Sequence, residues 1–414
     1  MSVMENKLTT TPPWQPPKLP FRDKPNWAEV DLDAIAYNTR QIKQWIGERT
    51  ELMAVVKGDG YGHGAVMVAK TALQNGATRL ATARVDEAIQ LRQAGITAPI
   101  FVLGYVPVEE MEAVVKWHID APIMHWDIAV ALSQLSSKAG VITPVHVKVD
   151  TGMGRFGLMP DEVANFVERL RTLPGLRFEG LYTQFATADE KDKSYTYQQF
   201  AIYKRVLQNL QDKGISVPIR HVANSPTTLD LPEAHLDMVR CGTVIYGLYP
   251  SREVDHSIPL KPALMLKSRV ARLQTLPAGW GVSYGRTYIP AQSIRAALVP
   301  LGFGDGFRRA LSNIGYVLIR GKRAPVIGRI CMDQCIVNVS DIAEIERDDE
   351  VVLIGKQGDE EISADLMAET LHSIHYEVLT AISARVPRVY IQNGEIVAIR
   401  TLSGLVPDAA PASP

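Results

Sequence analysis

From about Asp33 to Tyr249 the chain alternates between short apolar runs and longer stretches whose apolar positions recur with helical spacing. The runs are "ELMAVV" (51–56), "RLATA" (79–83), "PIFVLG" (99–104), "DAPIM" (120–124), "PVHVKV" (144–149), "FEGLYTQF" (178–185), "PIRHVAN" (218–224) and "LDMVRCGTVIYG" (236–247). Between them, "DEAIQLRQAG" (86–95) and "PDEVANFVERLRTLPG" (160–175) have helical periodicity and stop on glycine, a common helix terminator. About eight strand–helix units in a little over 200 residues predict an α/β fold, a (β/α)8 TIM barrel over 33–250. An open doubly wound sheet is the competing arrangement, and it would usually need fewer strands.

After about Pro250 the texture changes. "LMLKSRVARLQTL" (264–276), "IRAALVPLG" (294–302), "GYVLIRGKRAPVIGRI" (315–330), "QCIVNVS" (334–340) and "EVVLIGKQG" (350–358) are β-branched and punctuated by turns. Helical spacing is scarce until "SADLMAETLHSI" (363–374). Residues 251–402 therefore read as a mostly β C-terminal domain. "NWAEVDL" (26–32) reads as a strand that could join either domain. Residues 1–25 read as a Pro-rich flexible arm and 403–414 as a disordered tail.

The length of 414 residues suits two domains. A formal net charge of −1 gives no electrostatic case for nucleic acid or an anionic membrane as partner. The three cysteines, Cys241, Cys331 and Cys335, have no framework spacing and fit a reducing compartment. Cys331 and Cys335 lack a second pair of ligand type, so no metal site is expected. The first residues lack the apolar centre of a signal peptide, and no apolar run approaches the ~20 residues that span a bilayer. The expected location is the cytoplasm.

Candidate chemistry begins at "AVVKGDGYGHG" (54–64). Lys57 falls at the C-terminal end of the first barrel strand, the face where barrel enzymes place their chemistry. A partly desolvated lysine has a lowered pKa and can attack a carbonyl to form a Schiff base. The glycines would let a ligand approach the backbone. Alone, the position is equally compatible with a lysine that ends a strand in water. "HVANSPTTLD" (221–230) puts Ser225 at the start of a helix, either as an ordinary N-cap or as a phosphate ligand. "RCGTVIYG" (240–247) adds a glycine and a hydroxyl after Arg240. A late phosphate cradle plus a strand-end lysine suggests pyridoxal 5'-phosphate, an aldehyde with a phosphate handle.

Several separated motifs, in order, carry a resemblance: "AVVKGDGYGHG", "KVDTGMGRFG", "YTQFATADE", "HVANSPTTL", "MVRCGTVIYGL", "VSYGRTY", "GRICMDQ" and "RVPR". From about Trp27 to Arg400 the chain resembles the alanine racemase family, pyridoxal-phosphate enzymes of fold-type III. The resemblance implies a barrel followed by a β domain that the early strand "AEVDL" joins. It also implies D-alanine supply for peptidoglycan. Lys57 matches the Schiff-base lysine, which acts as base on the D-enantiomer. Tyr284 matches the acid/base on the opposite face, which acts on the L-enantiomer. Without the resemblance Tyr284 would read as a half-buried strand tyrosine. In the family this tyrosine comes from the other subunit, which implies a homodimer with shared sites. Arg240 matches the arginine at the pyridine nitrogen; it donates without giving up its proton, so the ring stays a weaker electron sink. Tyr61, Ser225, Gly242 and Thr243 match the phosphate ligands. Arg155 and the Met332 backbone amide match the substrate-carboxylate contacts, and Asp333 is a supporting neighbour. Lys148 matches a lysine that many members carbamylate, which lets it pair with Arg155 rather than repel it.

Three positions depart from the family pattern. Gln184 stands where a histidine usually bonds the catalytic tyrosine, and glutamine cannot become cationic. Phe303 and Ala384 stand where two gate tyrosines are usual, which makes the channel less polar and, at Ala384, wider. A broader-specificity racemase that accepts serine is the alternative this raises. A pyridoxal-phosphate decarboxylase would have an acidic residue where Arg240 stands. A non-catalytic cofactor-binding barrel would lack the β domain and with it "VSYGRTY".

Overall fold

In a computed structural model that describes residues 24–407, strand β1 (Asn26–Asp31) hands over directly to the first helix, Leu32–Ile46. The Asp31 carboxylate accepts from Ala34 N at 2.9 Å and so caps one of the unpaired N–H groups of the first turn. Leu32, Ile35, Ile42 and Ile46 give the helix its buried face, and Gly47 ends it at φ +75°.

The parallel strands follow: β2 (Glu51–Val55), β3 (Arg79–Thr82), β4 (Ile100–Val102), β5 (Ala121–Ile123), β6 (Thr143–Lys148), β7 (Leu176–Tyr182), β8 (Ile219–His221) and β9 (Met238–Cys241). They pair in the orders β4-β3-β2-β9 and β5-β6-β7-β8. A parallel bridge between Phe101 and Asp120 joins β4 to β5, and Arg240 N donates to Ala223 O beside β8 and β9. The ring is therefore closed, as a (β/α)8 barrel requires. Alternation within each strand separates two cores. Met53, Val55, Ala81, Phe101, Tyr182, Ile219 and Met238 fill the interior. Leu52, Ala54, Leu80, Ile100 and Val145 face outward into the layer of helices. Toward the opposite, N-terminal end, Arg79 is shared by Glu51 at 3.0 Å, Glu179 at 3.2 Å and Asp120 at 3.6 Å.

The second unit is built from β10 (Leu264–Arg269), β11 (Arg272–Leu276), β12 (Ile294–Val299), β13 (Tyr316–Ile319), β14 (Lys322–Pro325), β15 (Cys335–Asn338), β16 (Glu350–Gln357) and β17 (Glu360–Ile362). β11-β12-β15 form one sheet, while β14-β13-β16-β10-β1 run as neighbours in another. The pairs are antiparallel with sheet-like alternation, and the short helices Ala364–Thr370 and His375–Thr380 close the unit.

Two compact units result. One holds residues 30–264, 388–399 and the described residues from 405; the other holds 265–387, 400–404 and the described residues up to 29. Residues 388–399, expected in the second domain, thus count with the barrel. The reason is local: Arg388 Nε donates to Gly62 O at 2.9 Å, and Asn393 N donates to the Asp33 carboxylate at 2.5 Å. β18 (Arg388–Gln392), β19 (Glu395–Thr401) and β20 (Gly404–Pro407) are consecutive hydrogen-bonded neighbours. Residues 404–407, expected to belong to a disordered tail, are therefore a strand, because β19 offers them a partner. The rest of that tail, and all but two residues of the Pro-rich arm, lie outside the described residues. Among the described residues no helix is long and apolar enough to cross a membrane.

Candidate active site

β2 ends at Val55, and Lys57 follows two residues later at the C-terminal mouth of the barrel. From Gly58 to Tyr61 the backbone makes a left-handed turn, with φ of +59°, +54°, +61° and +52°. L-residues avoid a run of this hand, so Gly58 and Gly60 carry it. The turn is fixed from outside by Glu87, whose carboxylate accepts from Gly58 N at 2.6 Å and from Ala83 N at 2.8 Å. Asp59 accepts from Ala65 N, and a Cβ on Gly64 would overlap the Tyr390 hydroxyl. The glycines expected to make room for a ligand thus serve first to reverse the chain tightly beneath Lys57.

Arg240 is the last residue but one of β9 and is 4% exposed. Its guanidinium donates to His221 O at 2.7 Å, Thr183 O at 2.8 Å, Val222 O at 3.2 Å and Gln184 Oε1 at 3.2 Å. Burial pushes it down to about 10, which leaves it a cation at neutral pH. His221 Nδ1 lies 3.3 Å from it, and His221 Nε2 is 2.9 Å from His146 Nδ1. The arginine is therefore seated on a buried, neutral histidine pair whose pKa values burial holds down.

Ser225 is not the helix cap. Asn224 takes that place, accepting from Thr227 N at 3.2 Å, so the Ser225 hydroxyl is available elsewhere. It accepts from Gly242 N at 3.0 Å. A Cβ on Gly242 would overlap the Tyr61 hydroxyl, and Thr243 opens the next turn, Thr243–Tyr246. Tyr61 is backed by the Tyr246 ring at 4.8 Å. Tyr61, Ser225, Gly242 and Thr243 thus gather in one place, with hydroxyls and loop amides together, as an oxyanion or phosphate would need.

The mouth is strongly cationic. Lys57 has its pKa lowered by burial and then by Arg155 and Arg240, against the raising effect of Glu87. Lys148, at the end of β6, is 2% exposed; burial, Arg155, Arg240 and Lys57 bring it to about 7. Its Nζ sits 3.7 Å from the Phe156 ring centroid, and the Arg155 guanidinium is 5.4 Å from the same ring. Asp150 shapes this loop. Burial works against its carboxylate, but the N–H groups of Gly152, Met153, Gly154 and Arg155 hold its pKa low.

The remaining predicted residues belong to the other unit. Tyr284 opens a tight turn and is 72% exposed. Ser283 Oγ donates to Arg329 O at 2.5 Å. Phe303 N donates to Cys331 O at 3.0 Å and Gly304 N to Met332 O at 2.8 Å, which sets Phe303 beside Met332. Arg385 bridges Asp305 at 2.7 Å and Asp333 at 2.6 Å, next to the exposed Ala384. Asp333 is thus held by a charge-assisted pair.

Glu87, Phe156, Asn224 and the His146–His221 pair escaped the sequence reading. Glu87 and the histidine pair act across 29 and 75 positions, which the sequence does not reveal, whereas Asn224 caps Thr227 three residues on and was open to a local reading; the "D-x-G-x-G" texture around Asp150 hints at a loop-holding carboxylate.

Known proteins agree with this arrangement. The family profile "Alanine racemase, N-terminal domain" matches residues 30–250, and "Alanine racemase, C-terminal domain" matches residues 263–390. The alanine racemase of Halothermothrix orenii is 45% identical over 367 residues, covering 89% of this chain and 97% of that protein. That of Clostridium perfringens is 46% identical over 379 residues, covering 91% and 98%. A solved alanine racemase from Bacillus anthracis with bound L-Ala-P superposes with TM-score 0.87 at 40% identity, covering 91% of this chain and 97% of that one. One from Clostridium difficile gives 0.88 at 41%, covering 91% and 98%. With motif order, closed barrel and near-full-length similarity in agreement, this chain belongs to the alanine racemase family.

Proposed function

We propose that this protein interconverts L- and D-alanine with pyridoxal phosphate as cofactor, as a cytoplasmic homodimer that supplies D-alanine for peptidoglycan. The observation that carries this reading is Lys57, set by a left-handed turn at the barrel mouth with its amine biased toward the neutral, nucleophilic form. The residues present fit an aldehyde with an anionic handle. Lys57, Lys148, Arg155 and Arg240 concentrate positive charge there, and the Gly242 position has no space for a Cβ against Tyr61. Lys57 would hold the cofactor, Tyr61, Ser225, Gly242 and Thr243 its phosphate, and Arg240 its ring nitrogen. When bound, pyridoxal phosphate supplies an electron sink that acidifies the α-hydrogen of an attached amino acid.

The chain supplies the proton transfers. A single base returns a proton to the face it came from, so racemisation needs a second group opposite. Lys57 serves the face from which the D-enantiomer loses its proton, and Tyr284 serves the other. Arg155 and the Met332 amide hold the substrate carboxylate, with Asp333 as support. Arg240 meets only neutral acceptors, so it donates and keeps its protons. Lys148, partly neutral near pH 7, can in that form add carbon dioxide and lose a proton; the resulting anion would face Arg155.

Exposed Trp280, Tyr284, Ile289, Phe303, Ile314 and Met332 on the second unit support a second copy as partner. Three unpaired cysteines support a reducing compartment. Exposed Ala384, with no hydroxyl or ring, favours a second reading in which serine is also accepted.

The test is a panel of L-amino acids incubated with cofactor-loaded protein, following loss of optical activity and α-deuterium uptake. Alanine should lead the panel. Preference for a larger side chain would move the assignment to the second reading, and carbon dioxide release without racemisation would overturn both.

A further inference from the structure

Ser283, the residue before Tyr284, has φ +59° and ψ −170°. That region is occupied almost only by glycine. Gly285 and Arg286 also have positive φ, +70° and +47°. The segment has glycines at 281 and 285, yet a serine holds the most strained position. What serine adds is a hydroxyl. Its Oγ donates to Arg329 O at 2.5 Å and lies 3.4 Å from Cys331 Sγ. Around that bond the loop is tight. Val282 bridges Tyr288, and a Cβ on Gly285 would come within 2.9 Å of the Arg329 guanidinium. Tyr284 itself is 72% exposed, so its own unit offers the phenol little packing. The backbone must therefore set where that side chain starts.

We propose that Ser283 is a positioning residue for Tyr284: its hydroxyl clamps the strained backbone to Arg329 O and fixes the direction in which the phenol leaves the loop. This rests on the reading of Tyr284 as the proton-transfer group for L-alanine. Two substitutions separate the clamp from the strain. Ser283→Ala keeps the Cβ that makes the conformation costly and removes the bond that opposes it, so the loop relaxes. Ser283→Gly removes the clamp and the strain together, so the native conformation stays accessible. Glycine, ordinarily the more disruptive choice, becomes the milder one.

The experiment compares cofactor-loaded wild type, Ser283→Ala and Ser283→Gly in deuterated buffer, reading α-hydrogen exchange of L-alanine and of D-alanine separately by NMR, with thermal midpoints measured alongside. The alanine variant should lose about 10- to 100-fold in L-alanine exchange, the scale of a misplaced reacting group. D-alanine exchange, which needs only Lys57, should be unchanged. The glycine variant should exchange L-alanine faster than the alanine variant and melt higher. Equal losses for both enantiomers, an alanine variant as active as wild type, or alanine equal to or better than glycine would each overturn the proposal. Should Ser283→Ala not fold, the glycine variant alone decides: its loss must be confined to L-alanine. A wild type that exchanges neither enantiomer overturns the proposed function itself, whereas normal wild-type exchange with any of the contrary patterns overturns only the role of Ser283.

Discussion

Gln184 Oε1 accepts a hydrogen bond from the Arg240 guanidinium at 3.2 Å. Its other acceptors named above are backbone carbonyls and the neutral His221, so none of these hydrogen-bond partners is charged. A histidine at 184 would become a cation beside Arg240 at low pH. Burial and that arginine would hold its pKa below the ordinary 6.5 or so. For Gln184→His, the ratio of variant to wild-type kcat/KM should be flat above about pH 7 and fall as pH drops through the new imidazole. A pH-independent ratio would show that position 184 does not couple to the arginine.

Lys148 makes stability depend on pH. Its ammonium has a folded pKa of about 7 against an ordinary 10.5. Below pH 7 both states hold the proton and the burden of burying the charge is constant. Between the two values the unfolded chain keeps a proton that the native state has released, so stability rises with pH, by at most about 1.4 kcal/mol per unit. Lys148→Met should therefore melt above wild type at neutral pH in buffer free of carbon dioxide, and the gap should close as pH rises. A constant gap would rule out a depressed lysine.

The same depressed pKa predicts a modification. Wild type equilibrated with 13C-bicarbonate should show a carbamate carbon resonance that Lys148→Met lacks. Its absence at neutral pH would mean that Lys148 stays a plain amine beside Arg155.

Gly242→Ala should displace Tyr61, because the added methyl would overlap its hydroxyl. Gly242 has φ −108°, outside the left-handed region, and the collision is with a side chain at the proposed phosphate site. Cofactor affinity should fall about 10- to 100-fold, or roughly 1.4–2.8 kcal/mol, in an absorbance titration. Tyr61→Phe should recover part of the loss in the double variant, since it removes the colliding atom.

If Lys57 and Tyr284 of one site come from different subunits, two inactive variants can repair each other. Lys57→Ala and Tyr284→Phe alone should each lose about 10²-fold or more. Unfolded together and refolded as a mixture, they should regain about a quarter of wild-type activity, since half the dimers carry one intact site of two. No recovery would place both groups in one subunit.

The barrel was legible because each of its strands coincides with an apolar run, and Lys57 because a lysine at a strand end is chemically conspicuous. The glycines after it were visible, but not their purpose. A left-handed turn and an open approach use the same residue type, and only φ values tell them apart. Ser225 read equally as cap or ligand until Asn224 proved to be the cap. Residues 388–399 looked like more β domain because strand propensity does not say which partner a strand will find.

Arg388 holds Gly62 O across 326 positions of sequence, and Tyr390 fills the space beside Gly64. During synthesis every barrel strand emerges long before either residue. Until then the turn under Lys57 has the holds of Glu87 and Asp59 but lacks this distant brace. A chain cut before residue 388 would hold all the barrel strands, yet the turn beneath Lys57 would lack the support that Arg388 and Tyr390 give it.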